Sequence, residues 1–141
     1  MRRAAVRRGD ESGTATAFVV GFAIVLLACA GLVIDGGTAL NARMTLADDV
    51  EQAARAGAQE IDIVALRAND VVQLDPRAAE GRAHAYLGGL GYTVSTATAF
   101  GDQITVGARD QVAPKLLSLV GVPPFDISAS ATAQAVTDPV P

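Results

Sequence analysis

The sequence predicts an α+β chain: a long N-terminal α-helix, transmembrane at first and projecting beyond, then a small antiparallel β-sheet with one or two helices. Three observations predict it. An uncharged run of 23 residues lies near the start, between Glu11 and Asp35. An alanine-rich, proline-free segment follows with helical spacing to about Ile61. Beyond Asp75 come short alternating stretches of Thr, Ser, Val and Ala, punctuated by Gly and Pro.

The uncharged run decides the class. Its inner part, residues 15–34, is long enough as a helix to cross a bilayer core of about 30 Å. A fully buried soluble helix passes the same length test, but the chain offers few other apolar elements to bury it. Arg2, Arg3, Arg7 and Arg8 precede the run, and no basic residue follows until Arg43. By the positive-inside rule the N-terminus stays cytoplasmic and the rest is extracytoplasmic. The division expected is 1–13 as a basic cytoplasmic terminus and candidate leader, 14–34 as the membrane span, 35–61 as a projecting amphipathic helix, and 62–141 as a small extracytoplasmic α+β domain. A net charge of −4 argues against a general nucleic-acid surface.

A cleaved secretory signal competes with the anchor, since it too joins a basic start to an apolar stretch. Leu26-Leu27-Ala28-Cys29 is similar to a lipoprotein signal, although the apolar run continues past Cys29 to Ile34. Cys29 is the only cysteine, so it forms no intrachain disulfide. Within the span Gly13, Ala17 and Gly21 recur at four-residue steps, with Ala28 and Gly31 near the same side. Small residues so spaced let helices approach closely in lipid.

After the span, Gly36-Gly37 is the expected kink point, because each glycine costs a helix about 1 kcal/mol relative to alanine. Leu40, Ala47, Val50, Ala54, Ala58 and Ile61 read as the apolar stripe of the projecting helix. Asp75-Pro76 reads as a helix start running to about Leu87 and ended by Gly88-Gly89. Residues 92–100 and 103–109 read as a hairpin around a Gly101-Asp102 turn. A short helix at 114–120 and a last strand at 125–136 complete the expectation, with 137–141 frayed.

The N-terminal residues resemble a family. Arg7-Arg8-Gly9-Asp10-Glu11-Ser12-Gly13-Thr14, then the apolar helix, then Asp35-Gly36-Gly37 and Arg43 ahead of an alanine-rich helix, resemble Tad-type pilus assembly proteins of the TadE/TadG-like group. The resemblance covers about the first 60 residues. It implies a minor pilin or pseudopilin of a type IVb pilus that helps to initiate or prime filament assembly. The implied partners are other pilin-like subunits, the assembly machinery and membrane lipid. It makes Gly13-Thr14 the candidate processing site and Asp35, Gly36, Gly37 and Arg43 the membrane-exit segment. One departure stands out. Prepilin-like substrates carry a Glu five residues after the cleavage-site Gly; here that position is Phe18 counted from Gly13, or Thr14 counted from Gly9. A Glu in lipid is costly unless a partner such as a neighbour's free amine meets it. The chain therefore reads as an accessory component or an unprocessed one. The alternative is an anchored or lipidated extracytoplasmic binding domain.

No catalytic constellation emerges, and neither a cofactor nor a small-molecule substrate is expected. Glu80 and His84 share a helix face, but His84 is the sole histidine and no second His or Cys completes a metal site. Ser118, Ser128 and Ser130 lack a neighbouring base.

Overall fold

The computed structural model describes residues 11–136, with side chains from Gly13 onward. The basic terminus at 1–10 and the tail at 137–141 lie outside the described residues. The architecture is α+β, as the patterning predicts. Helix α1 spans Glu11–Gly57, 47 residues, and runs unbroken through Gly36-Gly37, the expected kink point. Once a helix is nucleated, each residue added costs little, so two isolated glycines lower stability without stopping propagation. Beside them the Thr38 hydroxyl donates back to the Ile34 carbonyl at 2.9 Å.

The C-terminal end of α1 falls at Gly57 rather than near Ile61. Ile61 instead forms an isolated antiparallel bridge with Leu74, flanked by hydrogen bonds from Asp62 N–H to the Gln73 carbonyl and from Asp75 N–H to the Glu60 carbonyl. Between these ends sits α2, Ile63–Asn69, an element the sequence patterning does not predict. Its signal was Asp62: the carboxylate accepts from Val64 N–H and Ala65 N–H, an ordinary N-cap. The Ala65 bond comes first and the Gln73 amide second among the causes that hold the Asp62 pKa low, outweighing burial. Helix α3 spans Pro76–Gly89, with Asp75 as N-cap and Pro76 in the first turn as expected. It includes Gly88 and Gly89; the chain turns only at Gly91, whose φ is 88°.

Strands β1 (Thr93–Phe100), β2 (Gln103–Val112) and β3 (Phe125–Gln134) form one antiparallel sheet in that order. Phe100 pairs with Gln103, leaving Gly101-Asp102 as the two-residue turn, with Gly101 at φ 62°. Between β2 and β3 the expected helix contracts to a 3-10 helix, Leu117–Val120, closed by Gly121 at φ 83°.

One face of the sheet is covered by α3 and the second half of α1. Leu46, Val50, Ala53 and Ala54 of α1, with Ala58 just past its end, meet Ala79, Ala83 and Leu87 of α3 over Ile104, Val106, Ala108 and Ile127. The buried stripe of α1 differs from the expected one: Val50 and Ala54 belong to it, Ala58 is buried just past the helix end, Leu40 and Ala47 are exposed, and Ile61 is off the helix. Alanines at 39, 42, 47, 53, 54, 56 and 58 let several helical faces read as apolar, and packing selects one. Residues 35–61 are thus less a separate projection than the spine of the sheet domain. Tyr92 reinforces the join, its hydroxyl donating to the Asp49 carboxylate at 2.8 Å. That bond, burial and the Asp49 charge raise the Tyr92 pKa.

The opposite glycines of α1 should respond oppositely to alanine. A Cβ on Gly57 would lie 2.7 Å from Ile104 Cδ1 and 3.0 Å from the Ala79 carbonyl oxygen, whereas one on Gly37 would meet nothing within 4 Å. Urea unfolding of the full chain in detergent micelles should show Gly57→Ala losing about 1–3 kcal/mol of stability. Gly37→Ala should gain up to about 1 kcal/mol.

Candidate functional site

The first half of α1 carries apolar side chains that the described residues leave uncovered. Phe18, Val19, Val20, Phe22, Ile24 and Val25 are all exposed, and only 6% of the most apolar 18-residue window is buried. A soluble core helix would be mostly covered. This is one helix long and apolar enough to cross a membrane. Phe18 stacks on Phe22 one turn later with ring centroids 6.2 Å apart. Cys29 is exposed in mid-helix with a free thiol, and the helix continues to Gly57.

The small residues divide into two groups. Gly13 and Gly21 open onto empty space, and Ala17 and Ala28 are exposed beside them. Gly31 does not share that openness. Its backbone is covered by the chain's own Leu116 and Leu117, with Leu117 Cδ2 3.1 Å and Leu116 Cβ 3.4 Å from where a Cβ would stand. Absence of a side chain at residue 31 therefore serves an intrachain contact, and the face open to another helix comprises Gly13, Ala17, Gly21 and Ala28.

One turn above Gly31, Asp35 makes the contact that sequence reasoning did not foresee. The resemblance places it in the membrane-exit segment without a partner. In the structure it is 2% exposed, the one buried charged or polar residue among those described. Its Oδ1 accepts from Lys115 N–H at 2.8 Å, and its Oδ2 accepts from Leu116 N–H at 2.9 Å and Leu117 N–H at 2.7 Å. Three consecutive amides at the start of the 3-10 helix have no carbonyl partner of their own, and a carboxylate one element away satisfies them together. Burial alone would raise the Asp35 pKa. The amides of Leu117, Lys115 and Leu116, with the Lys115 charge, overcome it and hold the carboxyl below its ordinary value. The available sequence signal was an acid placed directly after an apolar span, where an unpaired charge is costly.

The other members of the exit segment are more exposed. Gly36 is half-buried, Gly37 is exposed, and Arg43 lines a shallow groove of about 590 Å³ with Leu40, Met44, Arg109, Ser128 and Ser130. Glu80 accepts from Ala99 N–H at 3.1 Å and ties α3 to β1. Among the described residues no group of three or more His, Cys, Asp or Glu is placed to hold a metal ion.

The Asp35 contact has a definite pH signature. A folded pKa below the unfolded value means the stabilisation is fully present above about pH 5 and is lost as pH falls through about 4 and below. Hydrogen exchange at the 115–117 amides should stay slow above that window and accelerate below it. In Asp35→Ala those amides should exchange roughly tenfold faster or more at neutral pH, with no acid step.

Known proteins bear on this geometry. None of the curated proteins or solved structures matches the chain. Residues 13–60, about a third of the chain, match a family described as putative Flp pilus-assembly TadE/G-like. The matched stretch coincides with α1 and the turn after it, so it includes the open apolar face, Asp35 and the packed spine. Over that helix the chain is similar to a Tad pilus-assembly family, as its sequence resemblance implies, and the match supports a role related to Tad pilus assembly.

Proposed function

We propose that the chain is an accessory, pilin-like structural component that assists the initiation or priming of a Tad-type, type IVb pilus at the cell surface. The observation that carries this reading is one unbroken helix with two different halves. The first half presents an uncovered apolar surface, and the second is the spine of a sheet domain. Such a helix holds a domain rigidly above a bilayer while leaving a lipid-level face for neighbours. The family match spans both halves.

In this reading 1–13 is cytoplasmic, 14–34 spans the membrane, and the sheet domain is extracytoplasmic. Other pilin-like subunits and the assembly machinery meet the helix along Gly13, Ala17, Gly21 and Ala28, where backbones can approach closely. Phe18 gives the helix an aromatic pair in place of a carboxylate, so no neighbour's amine is required for burial in lipid. That fits a component at the base or tip of the filament better than the repeated subunit. Gly13-Thr14 is the proposed processing site.

Deletion of the encoding gene should sharply reduce surface pili, and the intact chain should restore them. Gly21→Leu should restore fewer while reaching the membrane at the same level. Unchanged piliation in the deletion strain contradicts the role. Mass spectrometry of the mature N-terminus then sorts the form: Thr14 first indicates pilin-type processing, and an intact start indicates an unprocessed assembly factor. A lipidated Cys29 replaces this reading with that of an anchored binding domain.

A further inference from the structure

The loop joining β2 to β3 has no part in the assembly face, yet it is unusually apolar where it is most exposed. Leu119 is 80% exposed and Val120 75% exposed, side by side on the 3-10 helix Leu117–Val120. Solvent would ordinarily be met there by polar side chains.

The position of the loop explains the exposure. Asp35 holds the amides of residues 115–117 at the point where the apolar span ends. Leu117 reaches down from there to Gly31, one helical turn or about 6 Å into the span. A side chain that touches Gly31 lies at the depth of Leu32, Val33 and Ile34, which are themselves exposed apolar residues. The apolar surface of the span is therefore continuous with that of the loop. Lys115, the only lysine in the chain, is exposed at the loop's start, with a stem long enough to keep its ammonium among lipid headgroups.

We infer that residues 115–120 form a second membrane contact, in which Leu119 and Val120 insert into the outer interface of the bilayer beside the span. The partner is lipid: acyl chains for the two apolar side chains, and headgroup phosphate for Lys115. The inference rests on the reading of 14–34 as a membrane span. Its consequence is orientational. A single helix leaves a domain free to tilt with it, whereas a helix and a loop touching the same surface fix which side of the sheet faces outward.

The chain contains no tryptophan, so single substitutions report depth without background. Leu119→Trp, Val33→Trp and Phe100→Trp are each introduced into the full chain. Each variant is reconstituted in phosphatidylcholine vesicles with and without lipids brominated in the upper acyl chain. Val33 lies in the span, 74% exposed. Phe100 is 88% exposed at the far end of the sheet, beside the Gly101 turn that bonds Leu74 beyond the end of α1.

The expected result is blue-shifted, bromine-quenched emission from Leu119→Trp at no less than half the quenching of Val33→Trp, with Phe100→Trp unquenched. Val120→Trp provides the same reading if Leu119→Trp fails to fold by circular dichroism. Quenching at Val33→Trp with none in the loop overturns the inference. Red emission there then means water, and blue emission means cover by another protein or a second copy. Absence of quenching at Val33→Trp as well overturns the span reading, and the loop contact with it.

Discussion

Three backbone amides and one carboxylate organise this molecule. Asp35 stands where α1 leaves its apolar half, and Lys115, Leu116 and Leu117 come to it from eighty residues later in the chain. Each side needs the other. A buried carboxylate without donors is costly, and so are three consecutive amides without acceptors. Because the acid sits where the apolar half of α1 ends, satisfying it also fixes how low the sheet domain rides on the helix. Gly31 permits this position, since a Cβ there would crowd Leu117.

From that point upward the helix changes character without changing geometry. Below Asp35 its side chains are apolar and uncovered; above it, small residues bring the sheet and α3 close enough to share a core. Alanine at residues 53, 54, 58, 79 and 83 supplies little buried area per residue, so the domain depends on close approach more than on bulk. Gly57, packed against Ile104 and the Ala79 carbonyl, is the tightest instance. A long helix fused to its own domain in this way transmits orientation, which a flexible tether would not supply.

The parts legible in the sequence were those with a strong local signal. The apolar half of α1 showed in its length and lack of charge, α3 in Asp75-Pro76, and the β1–β2 hairpin in Gly101-Asp102. What escaped was set by tertiary contact. The stripe of α1 was misread because alanine marks no unique face. α1 ends short of the patterned Ile61 because Leu74 claims that residue, and α2 gives no periodic signal because seven residues carry too little periodicity. Asp35 looked like a polar flank because its partners lie far away in sequence, and Gly31 looked like a helix-packing position for the same reason. The candidate assembly face was legible as a pattern of small residues, but only the structure separates Gly31 from the others.

The central claim is that Asp35 fixes the loop, and so the domain, to the helix where its apolar half ends. Pulsed electron resonance on the full chain in vesicles tests it directly, with spin labels at Asp48→Cys on α1 and Ser118→Cys in the loop, in a Cys29→Ser background. The account predicts a single narrow distance distribution that broadens when Asp35→Ala is added. A distribution of the same width with and without the Asp35 carboxylate would contradict it.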